Sequence, residues 1–195
     1  MLALRSSQQS SEALLAVFSG LMREHKLSLV LNHVQKFEGP WALDVEHDEQ
    51  GTFVGVGLYN GSGVVSYFND LVLLNNCDFR TVSLICHNGR SDFECLRSWG
   101  INVTDHQLHW DTELMGHILD SSLRAYGLKS MANSILNISY PSYDDICGRK
   151  TLKQVKERKT LDKQPVELVS MYNACDVYCT WRLYELQKER IGFKD

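Results

Sequence analysis

The pattern of apolar and polar positions gives a strand-rich first half and a helix-rich second half. Residues 1–39 read as a helical, partly amphipathic lead-in, with Leu14, Leu15, Val17, Phe18, Leu21 and Met22 on one apolar face. Gly39-Pro40 breaks that pattern. Three strands are predicted in quick succession, over 41–46, 52–58 and 64–68, joined by short Gly-containing connections as in an antiparallel meander. A short helix is predicted over 70–74, and 82–86 is the compact apolar run of a buried strand. Helices are then predicted over 92–99, with Gly100 as the stop, and over 112–119, 129–136 and 168–189. Strands early, helices late and one buried strand among the helices predict an α/β fold, a mixed sheet flanked by helices. No internal repeat or low-complexity segment divides the 195 residues, so a single domain over 1–195 is expected.

Composition changes this picture little. Hydrophobic content of 44% and charged content of 23% are those of a globular protein, and no stretch approaches a membrane span. The N-terminus lacks the basic start, apolar core and small-residue cleavage site of a signal peptide, so a cytoplasmic location is expected. Met1 and the 39-residue lead-in point to a complete small protein rather than an excised module. The cysteines at 77, 86, 95, 147, 175 and 179 include no Cys-x-x-Cys pair, and no His pair stands at finger spacing. They are expected to be reduced, mostly buried thiols, with no structural zinc. The net charge of −4 is unusual for a nucleic-acid binder, except where carboxylates are neutralised by metal ions in a site.

The carboxylates are where the sequence departs from the ordinary. In Ala42-Leu43-Asp44-Val45-Glu46, strand alternation puts Asp44 and Glu46 on one face. Two adjacent acids repel, and a hard divalent cation relieves that repulsion; the plain alternative is a pair of surface acids at a strand end. His87-Asn88-Gly89-Arg90-Ser91-Asp92 follows the buried strand, and Asp92 opens the next predicted helix, either as a ligand at a strand end or as a helix cap. In Tyr172-Asn173-Ala174-Cys175-Asp176, four-residue spacing puts Tyr172 and Asp176 on one helix face. That face is the apolar stripe of Leu168, Cys175, Cys179 and Leu183, so Asp176 requires a partner there, structural or catalytic.

Taken together, Asp-x-Glu on a first strand, Asp after a buried strand and Tyr-x-x-x-Asp on a late helix resemble the DEDD exonuclease superfamily in its tyrosine-bearing variant. The chain looks most like the proofreading 3'→5' exonuclease domain of family A DNA polymerases. Trp110-Asp111-Thr112, Leu128-Lys129-Ser130-Met131-Ala132 and the segment from Tyr140 to Gly148 also resemble that group, and the likeness covers residues 41–187. The chain departs from the family pattern at His47, where Thr is common, and at Ser91, where an aromatic is common.

The resemblance implies a ribonuclease H-like mixed sheet, its first three strands antiparallel and the later ones parallel. It implies two divalent ions, Mg²⁺ or Mn²⁺, with Asp44, Glu46 and Asp176 on the first and Asp44 and Asp92 toward the second. Tyr172 would orient the attacking water, and Asn88 would contact substrate or brace the strand end. The implied substrate is the 3' end of DNA, preferentially single-stranded, with a polymerase or other replication protein as a partner. An exoribonuclease of the ribonuclease D type shares the same pattern. A catalytically silent nucleic-acid-binding domain is the third reading, although no core carboxylate is lost. The run Lys150, Lys153, Lys156, Arg158 and Lys159 leads into the last helix and reads either as a backbone-tracking stretch or as a solvated loop. Tyr140 and Tyr143 either stack on bases or pack on the core.

Overall fold

The structure is a computed structural model and describes residues 2–33, 37–148 and 160–193. Its frame is a six-stranded mixed sheet made of β1 (Ser28–Leu31), β2 (Pro40–His47), β3 (Phe53–Tyr59), β4 (Val64–Phe68), β5 (Ser83–Cys86) and β6 (Leu108–Asp111). The spatial order is β1-β4-β3-β2-β5-β6. The meander β2-β3-β4 is antiparallel, while β5 pairs with β2, β6 with β5 and β1 with β4, all in parallel. This is the ribonuclease H-like α/β arrangement that the motifs imply.

Helices cover both faces, and the alternation in β2 shows how. Trp41 and Leu43 pack with Leu84, Phe93 and Leu96, under α3 (Gly89–Ser98). Ala42, between them, packs instead with Ala174, Val177 and Cys179 of the long helix α7 (Val166–Ile191). Continuing the same alternation, Asp44 and Glu46 face α7. Because α7 lies between the sheet and α1 (Leu2–Glu24), it is buried along most of its length and carries no clean polar stripe. Pro165 precedes its first turn, and Gly192, at φ 65°, closes it by donating to Glu189 O and Lys188 O. Gln187 ties α7 to the far edge of the sheet: it accepts from Trp110 Nε1 at 2.9 Å and donates to Thr112 O at 2.8 Å.

The three early strands lie where the pattern predicts them. The lead-in is only partly helical: α1 ends at Glu24, and β1 extends the sheet beside β4. Four residues after a long amphipathic helix carry too short a period to announce a strand, and β6 is hidden for the same reason. The predicted helix at 92–99 begins earlier, at Gly89. Asn88 stands before it in the left-handed region, so Asp92 sits inside the first turn rather than at the cap. The predicted helix at 129–136 is α5 (Leu128–Met131), which passes directly into a π-helical turn over Ala132–Leu136. The short helices α2 (Leu71–Asn75), α4 (Thr112–Leu119) and α6 (Tyr143–Cys147) are capped by Asp70, Asp111 and Ser142 respectively. Among the described residues, no helix is long and apolar enough to cross a membrane, and the cysteines are all free, only Cys95 being other than buried.

Close approach of α7 to the sheet depends on one glycine. Gly57 sits opposite Asp44 in the β2–β3 register, and a Cβ there would overlap the Asn173 carboxamide and crowd Val177. Gly57→Ala is therefore expected to cost about 1–3 kcal/mol through overpacking. Urea unfolding read by circular dichroism checks this, and a neutral result would mean that α7 can back away from the sheet.

Candidate active site

Two neighbouring parallel strands, β2 and β5, end at the same edge of the fold, and each delivers acid there. Asp44 and Glu46 come from β2, and the turn after β5 leads to Asp92 on α3. Asp111 tightens that turn by accepting from the Asn88 N–H at 3.3 Å and the Gly89 N–H at 2.8 Å, and it also caps α4. Gly89 has no room for a side chain: a Cβ would meet Leu108 Cδ1 at 2.6 Å and Cys86 Cβ at 2.8 Å. From the other side α7 contributes Tyr172, Asn173 and Asp176.

Asp44, Glu46 and Asp176 each offer a carboxylate oxygen, and these oxygens all lie within 4.8 Å of one another. Asp92 stands beside this group and shares its field with Asp44 rather than joining the triad. Glu46, Asp92 and Asp176 are buried, and Asp44 is partly exposed at the mouth. Tyr172, one helical turn before Asp176 and on the same face, is buried against Phe18 of α1, their rings edge-on at 6.3 Å. The five residues that the motifs single out thus converge on one place.

Three further groups complete the site. Asn173 Nδ2 donates to Asp44 Oδ2 at 2.8 Å, to Glu46 Oε1 at 3.3 Å and to the Asp44 carbonyl at 3.3 Å, bridging the two acids of β2. Lys129, from α5, forms an ion pair with Asp176 Oδ1. Tyr140 donates to the same oxygen at 2.5 Å. The Lys129 ammonium lies 4.2 Å from the ring centres of both Tyr140 and Tyr172, clamped between two π faces. Tyr140 therefore packs at the site through its ring face and its hydroxyl. A lone lysine in the short segment after Gly127 and an asparagine within the buried stripe of α7 were the sequence signals for these residues; only the fold reveals their direction.

The remaining candidates fare differently. Asn88 is exposed, its backbone braces the strand end, and its side chain makes no contact with the carboxylates among the bonds described. Lys150, Lys153, Lys156, Arg158 and Lys159 lie outside the described residues.

The electrostatics are those of acids held together by force. Burial, and then the charge of Asp176, push the Asp44 carboxyl up to about 8. Glu46 is raised well above the carboxylate range by burial and by Asp44 and Asp176; Asp92 is raised likewise by burial, Asp44 and Asp111. Tyr172 is pushed well above 10, first by burial and then by Asp176, Glu46 and Asp44. His87, at the edge of the site, has its imidazole held down to about 4 by burial, with its Nδ1 against Thr112 Oγ1 at 2.8 Å. Asp92 Oδ2 is buried without a hydrogen-bond partner. An orphaned buried carboxylate oxygen beside three converging carboxylates is a donor set for hard divalent cations such as Mg²⁺ or Mn²⁺, and so the residues present fit such ions. Next to these acids opens a cleft of about 610 Å³, with Asp44, Tyr172 and Asp176 at its floor and Lys129, Ser142 and Tyr143 on its walls.

No family model matches the chain, and a search of curated proteins found no match. Solved structures do match. Brucella melitensis NrnC with bound Mg²⁺ aligns at a TM-score of 0.55 and 19% identity, over 86% of this chain and 85% of that one. Brucella melitensis NrnC bound to pGG aligns at a TM-score of 0.60 and 16% identity, over 86% and 84%. The apo form of a nuclease aligns at a TM-score of 0.56 and 14% identity, over 86% and 84%. Likeness at such identities is a likeness of fold.

The raised carboxyls fix a sign for pH dependence. Asp44 binds its proton more tightly folded, at about 8, than unfolded, at 3.8, so between these values the native state holds the extra proton. Metal-free stability is therefore expected to fall as pH rises from 4 to 8. Divalent cations bind the deprotonated acids, so the gain in melting temperature on adding Mg²⁺ or Mn²⁺ should be larger at pH 8 than at pH 5, by about 5 °C. Differential scanning fluorimetry with and without chelator measures this. Equal gains at both pH values would contradict the protonated cluster.

Proposed function

We propose that the chain is a divalent-metal-dependent 3'→5' exonuclease that releases nucleoside 5'-monophosphates from a polynucleotide end. The observation that carries this reading is the convergence of Asp44, Glu46, Asp92 and Asp176, from three distant parts of the chain, at one site that opens through Asp44 and Asp176 into a cleft. Asp44, Glu46 and Asp176 would hold one ion, and Asp44 with Asp92 a second. When bound, such ions lower the pKa of water and neutralise charge on the phosphate and the leaving oxygen.

The chain's own groups have defined tasks in this reading. Hydrolysis forms a bond from a water oxygen to phosphorus and breaks the P–O3' bond of the preceding nucleotide, whose oxygen ends as a hydroxyl. Tyr172 keeps its proton at neutral pH, so it orients the water by donating or accepting a hydrogen bond rather than by removing a proton. Asn173 fixes the rotamers of Asp44 and Glu46, so the acids need not reorganise when a substrate arrives. The cleft walls near Tyr143 and Ser142 are where the terminal nucleotide would lie.

The proofreading-type motifs favour the single-stranded 3' end of DNA as substrate, with a polymerase or other replication protein as its neighbour in the cell. A second reading keeps the chemistry and changes the polymer to RNA, short oligoribonucleotides included. The fold likeness to a structure bound to pGG favours short oligonucleotides, and this reading carries at least equal weight. The basic run from Lys150 to Lys159 would serve either polymer by tracking phosphates.

End-labelled single-stranded DNA and RNA, from dinucleotides to long strands, are expected to lose mononucleotides from the 3' end with Mg²⁺ or Mn²⁺ and none with chelator. Asp44→Ala should lower the rate at least about a thousandfold with the fold intact, and Tyr172→Phe about a hundredfold. Polynucleotide ends left whole under every divalent salt would overturn the exonuclease reading. Separately, replacing Lys153, Lys156 and Lys159 with Ala should weaken strand binding and flatten its salt dependence, by about one unit of slope for each phosphate no longer neutralised. An unchanged slope would reduce that run to a solvated loop.

A further inference from the structure

The Lys129–Asp176 pair raises a question that the carboxylate cluster alone does not. Asp176 is one of the three acids whose oxygens meet, yet its Oδ1 already carries an ammonium and a phenol hydroxyl. A cation bound to that oxygen and the Lys129 ammonium compete for the same lone pairs. Among the described residues, Lys129 is the one basic side chain paired with any of these acids, and its charge lowers the proton affinity of Asp44 and Glu46. It is also built to remain nearby when displaced. The Tyr140 and Tyr172 rings hold its Nζ from two sides at 4.2 Å, and its stem lines the open cleft. Its side chain is 30% exposed against 6% for that of Asp176, so the lysine enters from the cleft side and can withdraw toward it.

We propose that Lys129 is an exchangeable internal cation with two stations. It neutralises Asp176 while divalent ions are absent. It yields that carboxylate when a divalent ion binds, and then donates from the tyrosine clamp to a non-bridging phosphate oxygen of the nucleotide in the cleft. The second station rests on the phosphodiester-hydrolase reading above; the first rests on the Asp176 geometry alone. The physical logic is charge conservation in a buried place. An ammonium displaced from its carboxylate needs another anion, and a phosphate is the anion that this cleft would receive. Metal loading and substrate loading are thereby coupled through one side chain: each makes the other more favourable.

The test uses the full chain and calorimetry. Mn²⁺ is titrated into the wild-type protein and into Lys129→Met, with circular dichroism verifying that the variant is folded; Lys129→Gln takes its place if the Met variant melts early. Removing the competitor is expected to tighten Mn²⁺ binding by about tenfold. On the Mn²⁺-loaded proteins, binding of a nucleoside 5'-monophosphate is expected to weaken by about tenfold in the variant. A residue that merely props the fold would not move these two affinities in opposite directions. Mn²⁺ binding that is unchanged or weaker in the variant overturns the first station, and unchanged mononucleotide affinity overturns the second. Neither measurement requires turnover. If both affinities shift as expected while the wild-type protein degrades no polynucleotide, the exonuclease reading fails and the lysine exchange stands.

Discussion

Mutual repulsion among buried carboxylates is the constraint around which this molecule is arranged. Asp44, Glu46 and Asp176 crowd together with Asp92 beside them, and each of these acids except Asp44 is almost wholly withdrawn from water. Such a group destabilises any fold that holds it unless compensation is built in. The compensation here is layered. Asn173 donates to both acids of β2, Tyr140 and Lys129 serve Asp176, and the Val45 N–H and the Cys86 thiol lie against Asp92. Some protons are retained as well, as the raised carboxyls indicate. What is left over is an unpartnered oxygen on Asp92, a demand that a divalent cation would meet under the proposed function.

The backbone frame exists to make this crowding possible. Parallel pairing of β2 with β5 brings two strand ends to one edge, and antiparallel pairing of β2 with β3 sets Gly57 opposite Asp44. The missing side chain at Gly57 lets the Asn173 amide reach the sheet, and the small Ala42 and Ala174 allow α7 to lie close along it. Polar anchoring at the far end, through Gln187, fixes the axial position of α7, so that Tyr172 and Asp176 fall over the acids.

Much of this was legible in the chain. Alternation in β2 is a local property, so the shared face of Asp44 and Glu46 follows from spacing alone, as does the shared face of Tyr172 and Asp176. The meander was legible for the same reason. What remained hidden was non-local or too short to have a period. β1 and β6, four residues each, owe their existence to a ladder with a distant partner. Asp92 read as either a ligand or a cap, because sequence does not reveal that Asn88 takes a left-handed backbone and starts the helix sooner. Lys129 is an ordinary surface-type residue until the fold turns it toward Asp176.

The lead-in has a role that its position at the start of the chain conceals. Phe18 is fully enclosed, and its ring forms the back wall behind the Tyr172 phenol, while β1 occupies what would otherwise be the bare margin of β4. A version of this protein trimmed to begin at Gly39 would lose both the brace and the margin. Its tyrosine would gain a hollow to swing into, and β4 would offer an unsatisfied backbone to other chains, inviting them to add strands there. The packing around the site thus reaches back to Phe18, and a residue that carries no chemistry of its own stiffens the Tyr172 ring.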